Sequence, residues 1–151
     1  MRRPSKNGDK QNDANLQIIC QFTNCEYNMK SFNKLIHPEL SYKITGVLFA
    51  VHNELGRFRN EKEYGDAIET HLKKFNIGYE REKKIDIRNT VDFLIENKVI
   101  LEIKVKRLLT KEEYYQIKRY LVALNKKLGL LVNFRDKYIK PKRILNSLVE
   151  T

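Results

Sequence analysis

Two short segments constrain the fold of this chain more than any other feature. They are Val91-Asp92-Phe93-Leu94-Ile95 and Ile100-Leu101-Glu102-Ile103-Lys104-Val105, separated by the polar stretch Glu96-Asn97-Lys98. Both alternate or concentrate β-branched and large apolar residues, as strands do, and Asn97 suits the left-handed backbone of a tight turn. Strand side chains alternate between faces, so Glu102 and Lys104 point one way while Leu101, Ile103 and Val105 point the other. If the hairpin pivots at Asn97, Asp92 stands opposite Glu102, with Cβ atoms about 5 Å apart on a shared face. A slip of one residue would part them, so the pairing depends on the turn.

The segments on either side supply the other layers of a fold. Leu40, Ile44, Val47, Leu48, Val51 and Leu55 recur at three- and four-residue steps, the mark of an amphipathic helix, and Gly56 stands where such a helix stops. A second stripe, Tyr64, Ala67, Ile68, Leu72 and Phe75, predicts another helix ending near residues 76–78. Strand character covers residues 79–87, 90–95 and 99–105, giving a three-strand meander. Residues 109–125 predict a helix capped by Thr110, with Glu112 and Glu113 in its first turn and a core stripe of Ile117, Leu121 and Leu124. Residues 128–134 read as a buried strand, and residues 139–145 as a further strand or a short helix. The sum is an α/β fold: a mixed central sheet flanked by helices.

Residues 1–36 are polar, rich in Asn, Gln, Lys and Ser and without sustained period. They predict a weakly ordered extension ahead of one domain over residues 37–151, and Met29 offers an alternative start. Cys20 and Cys25 fall in that extension, too few for a disulfide framework and without the further ligands a zinc site needs. Together with the absence of a signal-like segment or a run of about 20 apolar residues, they point to an intracellular, cytoplasmic or nucleoid-associated setting and away from membranes. His52 and His71 sit in helical segments with no second metal-type ligand at helical spacing, so packing roles suit them better.

Charge narrows the partner. The 151 residues carry 30 Lys and Arg against 19 Asp and Glu, a net charge of +11, and residues 104–151 hold 13 of the basic residues against 4 acidic ones. Such a surplus suits a polyanion, because each cation that neutralises a phosphate releases a counterion. Two carboxylates at cross-strand distance can hold a divalent cation, which usually takes one or two protein carboxylates and fills its shell with water and phosphate. Lys104 is placed to orient a water or to stabilise developing charge. On the following helix Gln116 and Tyr120, four residues apart, share a face that could look toward a bound strand. Lys106, Arg107, Lys111, Lys118 and Arg119 flank the same region as candidate phosphate contacts.

From Leu40 to Leu145 the sequence resembles the GxxExxxR proteins, a branch of the PD-(D/E)XK nuclease superfamily. The resemblance rests on a series of matches in the family's order and at similar spacing. These are residues 40–46, 51–56, Glu61-Lys62-Glu63-Tyr64, Tyr79-Glu80-Arg81-Glu82, Val91-Asp92-Phe93-Leu94, Leu101-Glu102-Ile103-Lys104, Gln116-x-x-x-Tyr120 and residues 129–134. It implies a restriction-endonuclease-like core and a Mg²⁺-dependent nuclease (Mn²⁺ as a substitute) acting on nucleic acid, DNA before RNA. It further implies metal-binding roles for Asp92, Glu102 and Glu61, a catalytic role for Lys104, and auxiliary roles for Gln116 and Tyr120. The departures fall in the naming motif itself, whose glycine lands on Phe58 and whose arginine lands on Gly65. A nuclease fold kept for binding nucleic acid without turnover, or as a protein-interaction scaffold, stays open at this point.

Overall fold

The structure, a computed structural model, describes residues 35–148. The expected extension, with Cys20 and Cys25, lies almost entirely outside them. The elements run α1 (Pro38–Leu55), α2 (Glu61–Lys74), β1 (Tyr79–Lys84), β2 (Thr90–Ile95), β3 (Val99–Lys104), α3 (Lys111–Ala123), β4 (Leu128–Asn133) and β5 (Lys142–Leu145). The strands form one sheet in sequence order. β1, β2 and β3 are an antiparallel meander, β3 and β4 are parallel across the α3 crossover, and β5 returns antiparallel to β4. The expected mixed sheet flanked by helices is therefore the observed fold.

Each face of the sheet has its own core. Ile44, Leu48 and Val51 of α1, with Tyr64, Ile68 and Leu72 of α2, pack on Phe93, Ile95, Leu101, Ile103, Leu130 and Val132. On the other face Ile117, Tyr120 and Leu121 of α3 cover Val91, Leu94, Ile100, Leu131 and Ile144. Pro38 opens α1, and Gly56, at a positive φ of 70°, closes it. Capping boxes start α2, from Asn60 to Glu63, and α3, from Thr110 to Glu113. No helix among the described residues is long and apolar enough to cross a membrane.

Three expectations are corrected. Phe75, expected in the α2 stripe, caps the helix and is exposed. β1 stops at Lys84 because Asp86 Oδ1 accepts the N–H groups of Arg88 and Asn89, an Asx-type turn that leaves Ile87 in solvent. The segment after residue 139 enters the sheet only at Lys142.

Gly129 controls how closely α3 lies on the sheet. A Cβ built there would stand 2.6 Å from Ile117 Cγ2 and 3.5 Å from Leu121 Cδ1, both fully buried. Gly129→Ala is thus expected to cost about 1–3 kcal/mol, read as a lower Tm, because neither neighbour has room to retreat. An unchanged Tm would mean that α3 can move out at little cost.

Candidate active site

The turn residues Glu96 and Asn97 both adopt left-handed φ, 49° and 54°, and Lys98 N–H closes the turn on Ile95 C=O at 2.9 Å. The resulting register pairs Ile95 with Val99, Leu94 with Ile100 and Phe93 with Leu101. One step beyond this ladder Asp92 and Glu102 lie side by side. Beyond Phe93 the ladder gives way to side chains. Asp92 Oδ2 accepts the Ile103 N–H at 2.6 Å, and Glu102 Oε2 lies 3.5 Å from the Asp92 N–H.

Asp92 also marks a break that alternation alone does not predict. Phe93 belongs to the core under α1 and α2, whereas Val91, two residues earlier, belongs to the core under α3. The strand changes phase between them. Across the β1–β2 ladder the position opposite Asp92 is Glu82, the one place where pairing lapses between Arg81–Phe93 and Lys83–Val91. Glu82 has a φ of 50°, unusual for a non-glycine residue inside a strand. This distortion re-aims Asp92 toward a cavity of about 200 Å³ that Glu61, Arg81, Glu82 and Ile103 also line.

Glu102 is buried behind Asp92, 3 % exposed, and does not line that cavity. Its Oε1 accepts a hydrogen bond from Lys104 Nζ at 2.8 Å, an ion pair almost closed to solvent. Burial, and next the charge of Asp92, push Glu102 up to about 7, against the pull of Lys104. Burial likewise raises Asp92, helped by Glu61 and Glu82 and opposed by the Ile103 N–H and Lys104. For Lys104 burial works the other way, but the charges of Glu102, Asp92 and Glu61 outweigh it and raise the ammonium above its ordinary range. Two carboxylates that resist ionisation in the absence of a cation form a hard-oxygen donor set suited to Mg²⁺ or Mn²⁺. Glu61 stands further off. Its charge reaches Asp92 and Lys104, yet among the described residues no three His, Cys, Asp or Glu side chains gather into one metal-sized cluster.

Gln116 Nε2 donates to Tyr120 Oη at 2.7 Å, so the helical pair acts as a unit. Tyr120 is buried on the face that carries Glu102 and Lys104 and feels both charges. The flanking cations differ in their surroundings. Lys106 pairs with Glu113, the N3 residue of the α3 capping box, and Lys118 lies over the Tyr114 ring at 4.9 Å. Lys111 and Arg119 are exposed on α3, and Arg107 lines a separate basic cavity.

The profile of the PD-(D/E)XK nuclease superfamily matches residues 38–144, a span from the first residue of α1 into β5. The chain belongs to the PD-(D/E)XK nuclease superfamily. Comparison with curated proteins and with solved structures finds no match. Asp92 and Glu102-Ile103-Lys104, which the hairpin brings together, lie within the matched span.

Two residues near this centre carry no role in the sequence reading. Arg81 Nη1 holds Asp66 at 2.6 Å and Glu69 at 2.7 Å, and Nη2 lies 2.9 Å from where a Cβ on Gly65 would stand. A guanidinium from β1 thus occupies the space beside α2 that a side chain at position 65 would need. Nothing local in the sequence links positions 65 and 81. Asn133 is the other. It is 3 % exposed, accepts the Lys106 N–H on Oδ1 at 3.0 Å and donates through Nδ2 to Lys106 C=O at 2.8 Å. It thereby fixes the chain leaving β3 just after Lys104. An amide ending an otherwise apolar strand was the signal available for it.

Proposed function

We propose that this chain is a divalent-metal-dependent nuclease of the GxxExxxR branch, hydrolysing phosphodiester bonds in DNA in preference to RNA. The observation that carries the reading is the meeting of Asp92, Glu102 and Lys104 where β2 and β3 part. Asp92 and Glu102 would hold Mg²⁺ or Mn²⁺, with Glu61 acting from across the cavity. When bound, such an ion supplies Lewis-acid polarisation of the phosphate and acidifies a water. Lys104, kept protonated by the acids around it, orients the attacking water and stabilises charge building on the phosphate oxygens. Gln116 and Tyr120, on the α3 side, would steer a strand past Lys104 with their linked amide and hydroxyl.

The test is cleavage of labelled DNA by the purified chain with Mg²⁺ or Mn²⁺, paired with Mn²⁺ titration. The wild type is expected to cut only with the metal, and Asp92→Asn to bind Mn²⁺ at least about 100-fold more weakly, since loss of a ligand exceeds loss of an outer-sphere partner. Equal cutting by wild type and Asp92→Asn would expose a contaminant. Salt-sensitive DNA binding without metal-dependent cutting would instead leave a nuclease fold used for binding alone.

A further inference from the structure

A second cavity, of about 370 Å³, lies outside the Asp92 centre and is lined by Arg57, Phe58, Arg107, Arg135, Asp136 and Lys137. Its residues come from three loops, each continuing an element that ends near the candidate site. Arg57 and Phe58 precede α2, which begins at Glu61. Arg107 follows β3 and Lys104, and Arg135 follows β4, whose Phe134 N–H bonds Lys104 C=O at 2.9 Å. These loops are held in place. Tyr64 Oη donates to Gly56 C=O at 2.6 Å, Tyr64 stacks on Phe134 at 4.2 Å between ring centres, and His52 Nε2 is 3.0 Å from Asp136 C=O.

The charges in this cavity are gathered against their mutual repulsion. Arg57 and Arg135 both lie against the Phe58 ring, 5.5 Å and 4.8 Å from its centre, and Arg57 Nε donates to Arg135 C=O at 2.9 Å. Among the described residues none of Arg57, Arg107, Arg135 and Lys137 forms an ion pair with a carboxylate. The one acid present, Asp136, has its carboxylate engaged by Asn133 Nδ2 at 2.9 Å. Four cations against a single carboxylate, none of them ion-paired among the described residues, make a site for a polyanion. Exposed rings stand with them: Phe58 and Tyr138 are each 73 % exposed, and Lys137 lies over the Tyr138 ring. Cations interleaved with exposed aromatic rings suit a single strand, whose phosphates meet guanidiniums while its unstacked bases pack on the exposed ring surface. Phe58 also stands where the resemblance places a glycine, so this feature belongs to the chain's own departure from the pattern.

We propose that this cavity is a single-stranded nucleic-acid subsite. It grips the phosphodiester backbone a short distance from the bond to be cut, with Arg57 and Arg135 taking phosphate oxygens and Phe58 holding the two guanidiniums. The proposal rests on the nuclease reading for its substrate but not on turnover, so its test is run without metal.

Fluorescence anisotropy of labelled single-stranded DNA, with divalent ions chelated, is followed across a salt titration. Loss of two phosphate contacts in Arg57→Ala/Arg135→Ala should lower the steepness of log affinity against log salt by about 1.4, near 0.7 for each contact. At low salt the same variant should bind roughly tenfold more weakly or worse. Lys74→Ala, which removes a cation at the far end of α2 about 20 Å from Glu61, should leave the slope unchanged. A duplex of the same sequence should compete less well than the single strand. An unchanged slope in the double variant, an equal loss in Lys74→Ala, or a preference for duplex overturns the subsite while leaving the nuclease reading intact. No nucleic-acid binding by the wild type removes both. Should the double variant fail to fold, Arg107→Ala/Lys137→Ala carries the same prediction for the same cavity.

Discussion

Glu102→Gln is expected to stabilise the metal-free protein at neutral pH while removing metal-dependent cleavage. The wild-type carboxyl is buried beside Asp92 and keeps its proton up to about 7, whereas an ordinary glutamate releases it near 4.5. That difference corresponds to roughly 3 kcal/mol in favour of the neutral form. The sign follows from linkage. Below about pH 4.5 the group is protonated folded and unfolded, and the variant gains nothing. As pH rises toward 7 the unfolded chain ionises first, the wild type loses stability, and the glutamine variant does not. Above about pH 7 the whole advantage is present, several degrees in Tm for a domain of this size. Mn²⁺ should reverse the ranking by raising the Tm of the wild type but not of the variant. Cleavage should fall about 10³-fold or more, because a neutral amide cannot replace a ligand carboxylate. Mn²⁺ affinity of the wild type should itself weaken as pH falls through about 7, where protons compete for the same oxygens. A Glu102→Gln protein that melts lower than the wild type at neutral pH without metal would show that the Lys104 ion pair outweighs the burial of charge.

That trade between stability and chemistry explains which parts of the site were legible. The Asp92–Glu102 meeting could be read because two local signals agreed: apolar alternation on both strands, and a polar turn centred on Asn97. The helices were legible for the same reason, since three- and four-residue stripes fix which face is buried. What escaped depends on backbone geometry or on contacts distant in sequence. Glutamate is not a residue from which a left-handed φ is expected, so the lapse at Glu82 and the re-aiming of Asp92 left no mark in composition. Arg81 entering the space beside Gly65 requires β1 and α2 to be docked, a contact between elements that periodicity cannot supply. Arg57 and Arg135 lie in loops far apart in sequence, and only the folded chain brings those loops together around Phe58. Glu61 was legible as an acid near the start of α2, but its distance from the Asp92–Glu102 pair was not.

Lys104→Met tests the remaining member of the centre by keeping an apolar stem of similar length and removing the charge. In the wild type the ammonium is 15 % exposed and bonded to Glu102, and its carboxylate neighbours keep it protonated despite burial. Without it, Asp92 and Glu102 lose one of the influences that favour their ionised forms. The pH at which Mn²⁺ binding is half complete should therefore move upward, whereas a residue with no electrostatic role would leave it in place. Single-turnover cleavage should fall about 10³-fold even at a pH where Mn²⁺ binding is restored, the order expected when one preorganised charge is removed from a reacting oxyanion. Lys104→Arg separates the two effects. It keeps the positive charge beside the carboxylates, so the midpoint of Mn²⁺ binding should return toward the wild-type value. Its planar guanidinium is larger than the ammonium and bonds in a different geometry, so cleavage should recover only in part. If Lys104→Met cleaves at the wild-type rate once Mn²⁺ is bound, the ammonium serves the carboxylates alone, and some other group must orient the water.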